Sequence, residues 1–280
     1  MPSTMASMSF FARIAVAAVW AAALTGGCAA PVNPSFSVSS ADARQIIRDL
    51  RADPVALDRP VIACAGWADP GFSSAHLSGQ VRKAFADADD QVLGLNFVGR
   101  YRFDTCRDKL IAAVDEAFPT DDPHWTTEVD VVAFSMGGLV SRYAASAVAH
   151  DPAQPTTRRR LKVRRLFTIS TPHRGAAMAR VPTFEPRIIS MRAGSALLAH
   201  LDDAWPARGY DAVAYTRLND PVVGTAHTAP PGVVPRWVAP PLLARSHQEA
   251  YRDPRILADI LRRLRGAAPL TSDPAAPLPD

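Results

Sequence analysis

The stretch from Val129 to Tyr143 (VDVVAFSMGGLVSRY) restricts the fold of this chain more than any other. An apolar, β-branched run of Val129, Val131 and Val132 leads into Ser135. Very small residues, Ala133 and Gly137, stand two places before and two places after that serine. An Ala-rich segment at helical spacing, 139–149, follows. Strand, tight turn and helix in this order make a nucleophile elbow, which lifts a serine hydroxyl to the edge of a sheet and leaves room only for small neighbours. The pattern is A-x-S-x-G rather than the commoner G-x-S-x-G, and Gly138 further opens the approach of helix to strand. The same residues also describe a buried strand ending in a serine helix cap. What separates the two readings is whether the rest of the chain supplies a base, an acid and an oxyanion site.

Five other runs have strand character: 60–67, 91–97, 163–170, 212–217 and 233–238. Helical patterns over 41–51 (with Ser40 as cap), 75–87, 105–117 (with Asp104 or Thr105 as cap) and 254–265 alternate with them. This alternation predicts an α/β fold with a mostly parallel sheet and helices on both faces. At 280 residues and 48% hydrophobic content the chain can bury one large core. The net charge of +4 comes largely from Arg158, Arg159, Arg160, Lys162, Arg164 and Arg165. No aromatic residue interleaves that run and no nucleic-acid-binding motif surrounds it, so no nucleic-acid partner is expected. It reads as a solvated connection entering a strand, the sharper alternative being adhesion to an anionic membrane or envelope polymer.

Residues 1–27 read as an export signal. Arg13 is their only charge, and the apolar segment from Ile14 to Leu24 is too short to span a bilayer. The sequence Leu24-Thr25-Gly26-Gly27-Cys28 resembles a bacterial lipobox, although Thr25 stands where Leu is usual. The resemblance implies a membrane-anchored lipoprotein of the bacterial envelope, acylated on Cys28. Ordinary secretion is the alternative. Residues 28–40 are small, polar and proline-punctuated, as in a tether. The folded domain is expected over 41–266, with a disordered tail over 267–280. Two cysteines remain in that domain, Cys64 near the end of one strand and Cys106 at the start of the helix after the next, and an exported protein is expected to pair them.

A second motif, Thr171-Pro172-His173-Arg174-Gly175, ends the strand that follows the serine helix. The elbow S-M-G-G-L-V-x-R-Y together with T-P-H-x-G is similar to the bacterial lipases and related serine esterases of the α/β-hydrolase superfamily, over about residues 58–266. The resemblance implies an α/β-hydrolase fold with a short cap or lid at about 176–210. It also implies hydrolysis of an ester or lipid substrate through an acyl-enzyme. Ser135 is then the nucleophile. Asp220 lies in a turn similar to the family's D-x-V-V and takes the role of acid. The base follows the acid in this fold, so His247, between the last strand and the last helix, is chosen over His227. The oxyanion donors are expected to be the backbone amides of Trp67 and Met136, with Ala65 standing where a His is common. His173 is read as shaping the pocket wall. No metal site and no cofactor is expected, since neither a ligand cluster nor a phosphate-binding glycine loop is present. An acyltransferase using the same acyl-enzyme, or a non-catalytic envelope binding module, are the rival readings.

Overall fold

In the computed structural model, residues 31–147, 159–241 and 244–279 are described. The expected leader over 1–27 and its Cys28 lie outside them, as does Arg158. Among the described residues, no helix is long and apolar enough to cross a membrane.

The elements in chain order are helix α1 (Ser40–Ala52), strands β1 (Val55–Ala56) and β2 (Val61–Cys64), α2 (Phe72–Ala84), β3 (Phe85–Ala86), β4 (Val92–Leu95), α3 (Phe103–Ala117), β5 (Val129–Phe134) and α4 (Met136–Ala145). There follow β6 (Val163–Ile169), α5 (Pro186–Ser190), α6 (Ala196–Asp203), β7 (Asp211–Arg217), β8 (Arg236–Val238), α7 (Ser246–Glu249) and α8 (Pro254–Leu264). Six strands form one sheet in the order β4-β2-β5-β6-β7-β8, and every pair in it is parallel. The serine strand β5 is central and buried throughout.

Because successive strand residues face opposite sides, each strand feeds two cores. Val132 and Phe134 of β5 point to the layer that contains α1, α2 and α8, while Val129, Val131 and Ala133 point to the layer of α3, α4 and α6. Parallel strands need crossovers, and the alternation of helices across the two faces supplies them.

Some boundaries differ from the sequence reading for local reasons. The cap of α1 is Ser39, whose hydroxyl accepts from the Asp42 amide at 3.1 Å, so the helix begins one residue earlier than a Ser40 cap allows. Helix α3 starts at Phe103 after Arg102, and Thr105 reaches back to Arg102 rather than standing outside the helix. Helix α2 lies three residues early because the Asp69 carboxylate gathers the amides of Gly71, Phe72 and Ser73.

Two segments expected to be loose are packed. In the tether, Phe36 is buried in the core and the Asn33 amide donates to the Trp237 carbonyl at 2.7 Å. Residues 267–279, expected to be disordered, lie back on the domain. The Leu270 and Thr271 amides donate to the buried Asp259 carboxylate, and the Trp237 indole donates to the Pro277 carbonyl at 2.9 Å. Composition suggested disorder, but a buried carboxylate needs donors and this segment provides them.

The basic run is largely absorbed. Arg159 pairs with Asp115 at 2.8 Å, Arg164 with Asp211 at 3.0 Å, and Arg165 donates to the buried Asp130 at 2.9 Å. Arg160 lies over the Trp125 ring, 4.0 Å from its centroid.

Candidate active site

Ser135 sits between β5 and α4 with φ +50° and ψ −124°, a region that L-residues seldom occupy. Its amide donates to Ile169 on β6 at 2.9 Å, and its carbonyl accepts from Gly138 at 3.1 Å and from the Thr171 hydroxyl at 2.8 Å. These bonds on both sides hold the strained residue in place. The small residues of the turn are obligatory. A Cβ on Gly137 would stand 2.6 Å from the Ala65 carbonyl, and one on Gly138 would meet Thr171 Oγ1 at 2.2 Å. Ala133 is fully buried, and its methyl fits where glycine is the commoner choice.

His247, on the short helix α7, brings Nε2 to 3.1 Å from Ser135 Oγ. Its Nδ1 lies 2.8 Å from Asp220 Oδ2. An ionised carboxylate can only accept, so Nδ1 carries the proton and Nε2 is left to accept from the serine hydroxyl. The order of contacts, carboxylate to Nδ1 and Nε2 to hydroxyl, is the one a Ser-His-Asp relay needs. All three side chains are buried. Burial alone would raise the Asp220 carboxyl. The His247 hydrogen bond and charge, with the Val223 and Val222 amides, hold it below its ordinary value. Both amides reach Asp220 Oδ1 at 2.9 Å, so the acid closes its own turn. Pro221, which has no N–H, costs this turn nothing, because the first amide used is that of Val222. Asn219 takes φ +59° just before it. Phe134 stacks between His247 and Tyr251 with ring centroids 5.0 Å from each, fixing the imidazole from the core side.

Gly66 lies against Ser135: a Cβ there would be 3.2 Å from Ser135 Cβ. The peptide that carries the Trp67 N–H begins at that glycine. Met136 is the first residue of α4, and the first amides of a helix have no partner within it. The helix N-terminus adds positive partial charge at the same place. Ser135 and His247 open into a cavity of about 430 Å³ whose wall includes Trp67, Phe134, Pro172, Met178, Met191 and Tyr251. The lining is predominantly apolar, as expected of a site for an apolar group. A second cleft, about 370 Å³, is lined by Trp125, Trp205 and Arg208 and contains none of the three relay residues. Ser135 and His247 both line the first cavity.

The segment between β6 and β7 contributes Met178, Ala179, Ile188 and Met191 to the cavity. Leu198 and Trp205, further along it, are buried away from solvent, and Phe184 is fully exposed. The structure divides these residues between pocket, core and surface.

His173 is engaged with partners other than the serine. Its Nδ1 faces the Arg142 guanidinium at 3.0 Å and its Nε2 faces Thr168 Oγ1 at 3.0 Å. Arg142 can only donate, so Nδ1 accepts and the ring is neutral with its proton on Nε2. Burial, with the charges of Arg142 and Arg174 added, drives its pKa well below the usual histidine value. His227 donates from Nδ1 to the Gly175 carbonyl at 3.0 Å and so fastens two loops together. The expected disulfide is not formed: Cys64 and Cys106 are free. Both sit in the α3/α4 core with separate partners, Cys64 accepting from the Ser141 hydroxyl at 3.7 Å and Cys106 lying 4.0 Å from the Arg100 carbonyl. Burial pushes Cys64 up to about 12 and Cys106 up to about 11, so neither is a thiolate nucleophile at neutral pH. Among the described residues, no three His, Cys, Asp or Glu side chains converge as a metal site.

By structure, the chain is similar to phospholipase PlaB from Legionella pneumophila in complex with thio-NAD (TM-score 0.50, 16% identity, 74% of this chain and 58% of that one). It is also similar to lipase B of Aspergillus fumigatus (TM-score 0.50, 16% identity, 75% of this chain and 53% of that one). The fold is that of the α/β hydrolases. The chain spans little more than half the length of these two solved proteins. By sequence, residues 102–201 match a family model described as "Putative serine esterase (DUF676)". That interval includes Ser135 and His173 but stops short of Asp220 and His247. A search of curated proteins returns no match.

Within this α/β-hydrolase frame, three contacts had no sequence signal. Thr171 anchors the Ser135 carbonyl, Arg142 joins the two motifs through His173, and Glu185 accepts from the Trp67 indole at 3.1 Å. Each joins residues far apart in the chain. The Arg and the His stand in the two quoted motifs, and only their pairing was hidden.

Proposed function

We propose that this protein is a serine hydrolase of the lipase or esterase type, cleaving carboxylic esters of apolar acids through an acyl-enzyme. The observation that carries this reading is the hydrogen-bonded chain Asp220–His247–Ser135 opening into an apolar cavity. Ser135 Oγ attacks the ester carbonyl carbon while His247 Nε2 takes its proton. Asp220 keeps the imidazole in the required tautomer and stabilises the cation that forms. The amides of Trp67 and Met136 donate to the oxyanion, at roughly 3–4 kcal/mol per donor. The imidazolium then protonates the leaving alcohol, and water, activated by the same base, releases the acid. The matched family description and the two structural relatives support this class of chemistry.

The surroundings favour a lipid-like ester. Phe72 and Met178 line the cavity yet are 71% and 49% exposed, and Val181, Phe184 and Ile189 continue the apolar surface along the cap segment. Apolar surface beside a pocket mouth suits a long acyl chain or the lipid layer that holds it. We place the enzyme on the bacterial envelope, anchored through an acylated Cys28. Replacing Cys28 by Ser is expected to move the protein from the membrane to the soluble fraction. A membrane fraction unchanged by that substitution sinks the anchor.

Turnover of p-nitrophenyl esters of short, medium and long acyl chains, beside Ser135→Ala, tests the reading. The wild type should favour medium or long chains, and the variant should lose several orders of magnitude in kcat while staying folded. Equal rates for both proteins on every ester would overturn it. Product transfer to an added alcohol in preference to water would identify an acyltransferase instead.

A further inference from the structure

The loop that follows β2 carries a conformational cost just beyond Trp67. Ala68 has φ +53° without being a glycine, and such a residue persists only where its surroundings over-determine it. Two clamps do so here. On the far side the Asp69 carboxylate takes the amides of Gly71, Phe72 and Ser73 at 2.8, 2.7 and 3.0 Å. On the near side Trp67 Nε1 donates to Glu185 Oε2 at 3.1 Å.

Glu185 is itself held firmly. The same Oε2 accepts the Ile188 amide at 3.0 Å and so caps α5, while Oε1 accepts from Arg187 Nε at 2.7 Å. Arg187 is buried, and its Nη1 donates to the Phe97 carbonyl at the end of the β4 region at 3.3 Å. A chain of bonds therefore runs from the edge of the sheet through the cap helix to the indole of Trp67. Among the described residues, Glu185 is the acceptor of that indole.

We propose that Glu185 is a positioning residue for the oxyanion site: by holding the Trp67 indole it fixes the peptide between Gly66 and Trp67, and it makes the cap segment part of the catalytic geometry. This rests on the reading of Trp67 as an oxyanion donor. With the Glu185 bond intact, the strained loop keeps its amide beside Ser135. Without it, Ala68 relaxes and the donor moves away from where charge develops. A displacement of about 1 Å at a reacting centre can cost on the order of 100-fold in rate.

The test is a double-mutant cycle in the full-length protein, with Glu185→Ala, Trp67→Phe and the pair. Two readouts are followed: kcat and KM on a p-nitrophenyl ester, and the rate at which a fluorophosphonate labels Ser135. Each single variant should lower kcat and the labelling rate by about 10-fold to 100-fold, since a displaced donor is at most a lost one. KM should change little. The double variant should be no slower than the slower single one. Glu185→Gln keeps an acceptor for the indole and the Ile188 amide and should restore most of the rate. Losses that multiply in the double variant, or a Glu185→Ala effect confined to KM and melting temperature, would overturn the positioning role. Those outcomes leave the serine hydrolase reading intact. Wild type that fluorophosphonate does not label, or Ser135→Ala with full turnover, overturns that reading first and this inference with it.

Discussion

Individual side chains in this protein are placed by hydrogen-bond direction as much as by distance. Two buried histidines make the point. His247 has a carboxylate on Nδ1, so its Nε2 is an acceptor facing a hydroxyl. His173 has a guanidinium on Nδ1, so its proton is on Nε2 and a second proton would face a cation. The first arrangement welcomes a positive charge on the ring and the second forbids it. The pH consequence for His173 follows from the sign. Its folded pKa lies well below 6.5 whereas the unfolded chain titrates near that value, so below pH 6.5 the unfolded state binds the extra proton. Stability contributed by this site is complete above pH 6.5 and falls as pH drops from there towards the folded pKa, by up to about 1.4 kcal/mol per pH unit. Asp220 adds loss in the same direction only at lower pH. Its folded pKa is below the ordinary 3.8, so its contribution is present above that value and disappears as pH falls through the folded pKa. Urea unfolding followed between pH 7 and 5 should show this slope in the wild type. His173→Gln, which offers an acceptor and a donor but no titration, should reduce it, the remainder coming from His76, whose pKa burial also lowers. An unchanged slope in the variant would assign the acid sensitivity to other groups.

Elements take their ends from partners elsewhere in the chain. Helix α8 carries Asp259 on its buried side, and that carboxylate accepts from the Tyr215 hydroxyl at 2.6 Å, from Arg263 at 2.8 Å and from the amides of Leu270 and Thr271. Burial, followed by the charge of Asp259, raises the Tyr215 hydroxyl well above its usual range, so it remains a donor. Residues 267–279 are thereby the closing strap of α8 and β8 rather than a free end. Their removal strips two amide donors from a buried carboxylate, a cost of about 1–3 kcal/mol for each group left unsatisfied. Truncation after Gly266 should lower the urea midpoint accordingly, and a midpoint equal to that of the full chain would return the segment to the status of a loose tail. The cap segment shows the same logic on the other side of the molecule. Its helix α5 is five residues long and is fixed by Glu185 and Arg187, not by length or propensity.

For the molecule as a whole, the site is where it is because six parallel strands all end at one edge. β2 delivers Gly66 and Trp67, β5 delivers Ser135, β6 delivers Thr171 and Pro172, and β7 delivers Asp220. His247 arrives from the connection after β8. In a parallel sheet the carboxyl ends of neighbouring strands meet without long reaches, which is the general reason ligands bind there. The opposite edge holds the cleft of Trp125 and Trp205, whose arginines lie over the rings and on helix-end carbonyls.

Much of this was legible in the chain before folding. The six strand runs, the alternation with helices and the small–x–Ser–x–Gly turn follow from periodicity and from the space a sharp turn allows, both of which are local. The order serine, acid, histidine is likewise a property of the chain. Ser39 against Ser40, and the start of α2, were missed by one to three residues because a cap is chosen by which side chain reaches an amide in three dimensions. The free Cys64 and Cys106 and the packed residues beyond 266 ran against composition, which reports what a segment resembles on average and not which buried group awaits it. The sheet, the elbow and the candidates for the reacting groups could be read along the chain, because those depend on neighbours a few residues away. It took the folded sheet to show which side chain holds Trp67 and to bring His247, which chain order had favoured over His227, within reach of the serine, because a hydrogen bond between residues 112 or 118 positions apart exists only once the sheet has brought them together.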